Sequence, residues 1–347
     1  MAARIRGVDL VMNAPSPEKH EKSKGMPGGE QPPLPVSATQ PAGAEDPYEY
    51  VYLDIRRCLE QIRQDIVQTG TFDLKSIYDR ITVVAGNPEA LFGLYRHTSL
   101  YGNEQDYILS HLINVMIYSM RIARKMKHSE EDLVDIGLAA VLHDAGMFKV
   151  PQEILAKPDR LTSEEAAEVK KHTCSGGHIL ACYREQFPLL ACVAEQHHER
   201  EDGSGYPAGL DGEAMHVYAK IVALADTYEA MTHDRPHRKA VSVRSLLDSK
   251  ERPKFSREVM KAFLDAIQLY PIGSLVVLST GTVGRVIDTN IDNPLKPIVR
   301  EEMDSQGRRV KDNRVLNLRD QKTLVWVTKA LDEDDLRAAE ILSWGSQ

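Results

Sequence analysis

The sequence predicts a mainly α protein: a helical bundle preceded by a small helical region and followed by a β-rich appendage. Three observations predict it. Apolar residues recur at helical spacing from about residue 47 to 268. Histidines and acids interrupt those apolar helices at several separate places. After Tyr270 the pattern changes to short Val, Leu and Ile runs punctuated by turn residues.

Taken in order, residues 1–46 hold seven of the chain's 18 prolines, with little apolar periodicity, and are expected to form a disordered tail. Residues 47–100 are expected to form the helical N-terminal region. EYVYLDIRRCLEQIRQDIVQTG places Val51, Leu53, Ile55, Leu59, Ile62 and Ile66 on one helix face that closes at Gly70. DLKSIYDRITVVAG and LFGLYRHTSL continue it. Residues 101–268 are expected to form the main helical domain. Ile108, Leu112, Val115 and Ser119 line one face of its first helix. LVDIGLAAVLHDAG is apolar nearly all round, which predicts a buried central helix. LTSEEAAEVKKH opens on an N-cap pattern at Thr162 and Ser163, and MHVYAKIVALADTYEAM stripes Ile221, Leu224, Ala225 and Tyr228. Residues 269–347 are expected to form a small β-rich subdomain. GSLVVLSTGTVGRVIDTN suits a hairpin turning at Ser-Thr-Gly, and RRVKDNRVLNLRD and TLVWVTK add strand-like runs. DEDDLRAAEILSWG predicts a short, acid-capped terminal helix.

Composition bounds the function. The chain has 347 residues, 42% hydrophobic and 27% charged, with a formal net charge of −8. That charge argues against binding polymeric nucleic acid, which needs a basic surface. It leaves room for a small phosphate ligand held by metals. No apolar run approaches the ~18 residues of a membrane span, and the N-terminus lacks a convincing signal peptide, so a cytoplasmic protein is expected. The four cysteines, Cys58, Cys174, Cys182 and Cys192, lack CxxC spacing and read as reduced, buried thiols.

The chemistry-bearing residues sit on the apolar helices: His111, His143 with Asp144, His172, His197 with His198, and Asp226. Any one alone is most simply a satisfied polar group in a core. Seven, recurring on four or five helices at ends or inward faces, point to a metal site, because burying so many polar groups unpaired is costly. Asp and His donors suit Fe, Mn or Zn. Neighbouring residues on a helix point about 100° apart, so His143 and Asp144 can splay towards two ions, or Asp144 can bridge them. Two such ions suit an in-line displacement at phosphorus. In HHEREDGSGYP, residues 197–207, Gly203 and Gly205 allow positive φ or close approach, and Pro207 stiffens the exit. Tyr206 either anchors this loop or packs near the ligand. Glu199, Arg200 and Asp202 either orient imidazoles or form loop salt bridges.

The HD pair at 143–144, with HHEREDGSGYPAGLDG at 197–212, resembles the HD-GYP family, a branch of the bacterial HD-domain phosphohydrolases. VPQEILAKPDRLTSEE, KHTCSGGHIL and KIVALADTYEAMTHDRPHRKA extend the likeness over roughly 105 to 240. It implies an HD-type bundle and cytoplasmic signalling by hydrolysis of cyclic di-GMP to linear pGpG, or on to GMP. Its alternatives are another cyclic dinucleotide as substrate, or a catalytically weak binding or scaffold protein. It implies the metal ligands His111, His143, Asp144, His172, His197, His198 and Asp226, with His143 and Asp144 at the centre of catalysis. Substrate contacts are implied at Arg235 and Arg238, with Tyr206, Gly203 and Lys149 beside them.

Two departures qualify the likeness. Members with three metals have a Glu where this chain has Tyr107, so two divalent ions, Fe or Mn, are expected. Many members have a Lys at Met147, and Lys149 stands two residues on as the candidate to compensate. Diguanylate cyclase domains are candidate partners, and homodimerisation is left open. His97, His128, His178, His216, His233 and His237 match no ligand position.

Overall fold

Asp46 starts the first helix. Its carboxylate accepts from the Tyr48 N–H, and Pro47 occupies the first turn, where its missing donor has no intrahelical role. The helix α1 (Pro47–Gln68) buries Val51, Tyr52, Ile55, Cys58, Leu59, Ile62 and Ile66. Leu53 lies at the edge of that stripe, half-buried, because Tyr52 and Cys58 take inward positions. Asp73 caps α2 (Leu74–Ala85) and Asn87 caps α3 (Pro88–His97). A computed structural model of the protein describes residues 46–98, 107–157, 159–232, 246, 251–267, 270, 272–288, 295–310, 314–320 and 324–331. The expected N-terminal tail up to residue 45, the terminal helix, Arg235 and Arg238 fall outside them, while Asp46, expected in that tail, is the cap of α1.

The helix α4 (Tyr107–Lys125) is buried without a break from Leu109 to Met120, so the expected one-sided face becomes a whole circumference. Its neighbour α5 (Glu130–Leu142) starts with a reciprocal capping box between Ser129 and Asp132 and is buried from Ile136 to its end, as its apolar run predicts. Directly after α5, His143 and Asp144 lead into a 3₁₀ turn, Ala145–Lys149. Then come α6 (Gln152–Leu155), α7 (Ser163–Lys170), α8 (His172–Leu180), α9 (Leu189–Gln196), α10 (Val217–Thr232) and α11 (Arg257–Ala266). Thr162 is the N-cap of α7, boxed with Glu165, and Ser163 is its first helical residue. One hydrophobic core runs from Val51 to Ile267, so α1–α3 share it with the later helices.

The C-terminal part is a five-stranded antiparallel sheet of β1 (Leu275–Leu278), β2 (Val283–Asp288), β3 (Ile298–Met303), β4 (Val315–Asn317) and β5 (Val327–Ala330), in the order β4-β3-β2-β1-β5. The β1–β2 hairpin turns where expected. Strand β3 is one the sequence pattern does not announce, because Arg300, Glu301 and Glu302 break its alternation. Glu301 nonetheless faces inward and accepts from the Thr282 hydroxyl at 3.0 Å. Val276, Leu278, Val286, Val299, Leu316, Leu318 and Val327 form a second, separate core.

The cysteines are free, but their burial differs from expectation: Cys58 is buried, Cys192 is half-buried, and Cys174 and Cys182 are exposed. Cys174 and Cys182 lie on the outer side of the α8 region, whose inward side carries His172, Gly176, Ile179 and Leu180. No helix among the described residues is long and apolar enough to cross a membrane.

Candidate metal centre

Five elements deliver the seven residues to one place. His111 stands in the second turn of α4, and Asp226 lies on α10. His143 and Asp144 follow α5, His172 begins α8, and His197 and His198 follow α9. Asp144 is the pivot. Its Oδ1 lies 3.1 Å from His172 Nε2 and 3.4 Å from His197 Nε2. Its Oδ2 lies 3.6 Å from His143 Nε2 and 3.8 Å from His111 Nε2. Donor atoms of Asp144, His172, His197 and His198 fall within 4.8 Å of one another, as do those of His111, His143 and Asp144. Asp226 stands beside both groups, with Oδ1 3.4 Å from His111 Nε2 and Oδ2 3.9 Å from His198 Nδ1.

The imidazoles are aimed by their other nitrogen. His143, His172 and His197 place Nδ1 on the carbonyls of Ala140 (2.7 Å), Val169 (2.6 Å) and Ala194 (2.9 Å), each three residues back. A carbonyl only accepts, so each Nδ1 carries a proton, and a neutral ring so held presents its Nε2 lone pair inward. His111 is held instead by a carboxylate, with Nδ1 2.5 Å from Glu229 Oε2. His143 Nε2 and Asp144 Oδ1 are buried without a hydrogen-bond partner. Orphaned acceptors of this kind, converging from separate elements, are what a cation satisfies, and the donor set fits a divalent metal.

Electrostatics points the same way. Burial pushes the His143 imidazole down to about 4, with Asp144 opposing, so His143 stays neutral and ligand-competent. Burial, aided by His197, holds His198 well below its usual value. Burial would also lower His172, but the Asp144 carboxylate outweighs it and raises that imidazole. Asp144 itself is kept ionised: burial opposes its charge, and the surrounding imidazoles, His143 and His172 foremost, lower it well below the carboxylate range.

Close packing sets these distances. A Cβ on Gly146 would stand 2.0 Å from His172 O and 2.7 Å from Gly176 N. The turn after Asp144 therefore lies backbone to backbone against α8, bringing Asp144 to His172. In the 197–212 loop, a Cβ on Gly205 would stand 2.4 Å from Glu199 Cα, and Gly203 has φ +74°. The buried Glu199 carboxylate accepts the N–H groups of Ala208, Gly209 and Leu210 at 2.7, 3.1 and 2.9 Å. It organises the loop, neither orienting an imidazole nor pairing with a cation. The Tyr206–Pro207 peptide is cis. The Tyr206 ring stacks on His198 at 4.7 Å and 26°, with Lys170 Nζ 4.8 Å from its centroid. Arg200 donates to the carbonyls of His197 and Glu199, and Asp202 accepts from Ser204. Lys149 is exposed, and its Nζ donates to Ile66 O at 2.5 Å, which uses one of its three donors. Glu229 is the neighbour of the cluster that the sequence reading passes over. It lies three positions after Asp226, on the same face of an apolar helix, and that spacing is the signal that could have found it.

The chain matches the HD domain family over residues 84–255 and the KOW domain associated with HD domain over residues 275–339. It is 33% identical over 235 residues to the cyclic di-GMP phosphodiesterase PA4108 of Pseudomonas aeruginosa, covering 66% of this chain and 55% of that protein. It is 32% identical over 169 residues to the 3'3'-cGAMP-specific phosphodiesterase 3 of Vibrio cholerae, covering 48% of this chain and 36% of that protein. The chain thus spans about half, or less, of the length of these curated relatives. Among solved structures, Bd1817, a HDG"Y"P protein from Bdellovibrio bacteriovorus, shares the fold with a TM-score of 0.51 at 18% identity, over 65% of this chain and 73% of that one. With an HD pair as the pivot of a helical ligand cluster and a GYP loop stacked against it, the chain belongs to the HD-GYP family of HD-domain proteins.

Proposed function

We propose that this protein hydrolyses a phosphodiester bond of cyclic di-GMP to give linear pGpG, with two divalent ions, iron or manganese, held by His111, His143, Asp144, His172, His197, His198 and Asp226. The observation that carries this reading is the division of Asp144: one carboxylate oxygen faces His172 and His197, the other His111 and His143. When bound, the ions supply positive charge at the phosphate oxygens and a lowered pKa for the attacking water.

The chain's own residues do the rest. The Nδ1 atoms of His143, His172 and His197 keep their protons on helix carbonyls, leaving Nε2 free to ligate. Asp144 stays ionised between the two groups. Side-chain exposures of 22% at His198, 13% at Asp144 and 11% at Asp226 open this side to a ligand, beside Tyr206. Water adds to phosphorus as the bond to the 3′ oxygen breaks, and that oxygen takes up a proton. Arg235 and Arg238 are proposed as guanidinium contacts to phosphate or guanine. Lys149, with one donor on Ile66 O, keeps two for the same role.

The test is a time course of cyclic di-GMP with the Mn(II)- or Fe(II)-loaded protein, read by nucleotide chromatography. Conversion to pGpG is expected, with loss of both turnover and metal in His143→Ala and Asp144→Ala. An uncut substrate overturns the reading. The similarity to a 3'3'-cGAMP phosphodiesterase favours a second substrate, and a parallel arm with that dinucleotide decides it. Met147, in place of a lysine, favours binding without turnover. Tight binding of intact cyclic di-GMP would establish that alternative.

A further inference from the structure

His111 is backed by a chain of buried polar groups that leads away from the metal centre. Its Nδ1 lies 2.5 Å from Glu229 Oε2, on the side of the ring opposite Nε2, which faces Asp226 and Asp144. Glu229 Oε1 accepts from Asn114 Nδ2 at 3.5 Å, and the same amide nitrogen donates to Thr98 O at 3.3 Å. Asn114 Oδ1 accepts from the Tyr52 hydroxyl at 3.0 Å. Tyr52 and Asn114 are fully buried, and Glu229 and His111 are 2% and 3% exposed. The donor directions agree at every link: hydroxyl to amide oxygen, amide N–H to carboxylate, imidazole N–H to carboxylate. The chain crosses three helices, from α1 through α4 to α10.

We infer that Glu229, set by Asn114 and through it by Tyr52, is a positioning residue for His111, and that α1 is thereby part of the support of the metal centre. A carboxylate on Nδ1 fixes the tautomer that leaves Nε2 unprotonated and makes that nitrogen a stronger donor to a cation. Glu229 is no ligand itself, because the imidazole ring stands between it and the cluster. The Asn114 amide accepts from Tyr52 through Oδ1 and donates to Glu229 through Nδ2 at once. The same helix meets the site a second time: Ile66 O, near the end of α1, accepts from Lys149, five residues after Asp144. Helix α1 thus braces both His111 and the turn that follows the pivotal carboxylate.

The inference rests on the proposed metal-dependent function for its consequence, and its test separates the two. Mn(II) affinity is measured by calorimetry on the full chain for wild type, Glu229→Ala, Glu229→Gln and Tyr52→Phe. The His111 tautomer is read in the chelated proteins by ¹⁵N NMR. Glu229→Ala is expected to weaken Mn(II) binding about 10–100-fold, as loss of such a carboxylate does. It also leaves His111 a mixture of tautomers. Glu229→Gln keeps the acceptor without the charge and loses less. Tyr52→Phe shifts affinity in the same direction by a smaller factor. If Glu229→Ala does not fold, the Gln and Phe variants decide. A folded Glu229→Ala protein with the wild-type tautomer, or Gln and Phe variants with unchanged Mn(II) affinity, overturns the inference. A wild type that binds Mn(II) but cuts no cyclic dinucleotide sinks the proposed function alone. If wild type takes up no Mn(II), the tautomer decides the positioning role by itself.

Discussion

The Nε2 atoms of His172 and His197 lie 3.2 Å apart, while the Nδ1 of each ring is on a helix carbonyl. When both rings are neutral, imidazoles so held turn lone pairs towards each other, with the Asp144 carboxylate beside them. Only a proton or a cation relieves that arrangement. Metal removal is therefore expected to destabilise the fold. At free metal about 100-fold above Kd, linkage gives about 2.7 kcal/mol. For a domain of this size that corresponds to a melting temperature about 5–10 °C above that of the chelated protein. Calorimetric melting with and without EDTA, followed by Mn(II) add-back, checks this. Identical melting temperatures would count against a metal at this cluster.

Acid is expected to weaken the chelated protein between about pH 6.5 and 4. The folded-state pKa of His143 is lowered from 6.5 to about 4, chiefly by burial, so in this window the unfolded chain binds the proton and the folded one does not. His198 is lowered likewise and adds to the slope. His172 is raised by Asp144, so its contribution is fully present below 6.5 and is lost as pH rises above that value. Denaturant midpoints measured across the window should fall with pH, and His143→Gln should flatten the fall. A midpoint that rises on acidification contradicts the assignment.

Gly146→Ala is expected to cost metal before it costs the fold. The added methyl would stand 2.0 Å from His172 O, so α8 must move away from the turn that carries Asp144. Overpacking of this kind costs about 1–3 kcal/mol. Circular dichroism should remain helical while metal content drops. Full metal occupancy in the variant would show that the Asp144–His172 spacing does not depend on this contact.

Glu199→Ala should free the 197–212 loop. Its carboxylate accepts three backbone N–H groups, and losing these charge-assisted hydrogen bonds costs roughly 2–4 kcal/mol in total. Because Tyr206 stacks on His198, the loss should also appear as a weaker KM for cyclic di-GMP. Hydrogen exchange at Ala208, Gly209 and Leu210 reports it directly. Unchanged protection at these amides would refute the role assigned to Glu199.

Thiol labelling is expected to find two fast and two slow cysteines. Cys174 and Cys182 are exposed, whereas burial raises the Cys58 thiol and pushes Cys192 up to about 11, with Glu195 adding to the effect. Mass spectrometry after brief alkylation should place the label on Cys174 and Cys182. Fast modification of Cys58 would mean that α1 leaves the core readily.

The sequence by itself determined the helical bundle and the members of the cluster. Apolar spacing announced α1, α5 and α10, and a buried helix cannot carry His143, Asp144 or Asp226 without a partner for each. It also announced the β1–β2 hairpin, because alternation and a Gly turn are local properties. Strand β3 escaped because Arg300, Glu301 and Glu302 owe their places to neighbouring strands rather than to local pattern. Only the tertiary structure decided how Asp144 divides its oxygens, that Glu199 ties the loop to itself, and that Glu229 stands behind His111. It also decided that α1 brings Ile66 O within reach of Lys149. The physical reason is common to all four. A residue's type and spacing fix what it can donate or accept, but, apart from His143 beside Asp144, its partners lie 9 to 118 residues away and are chosen by how the helices pack.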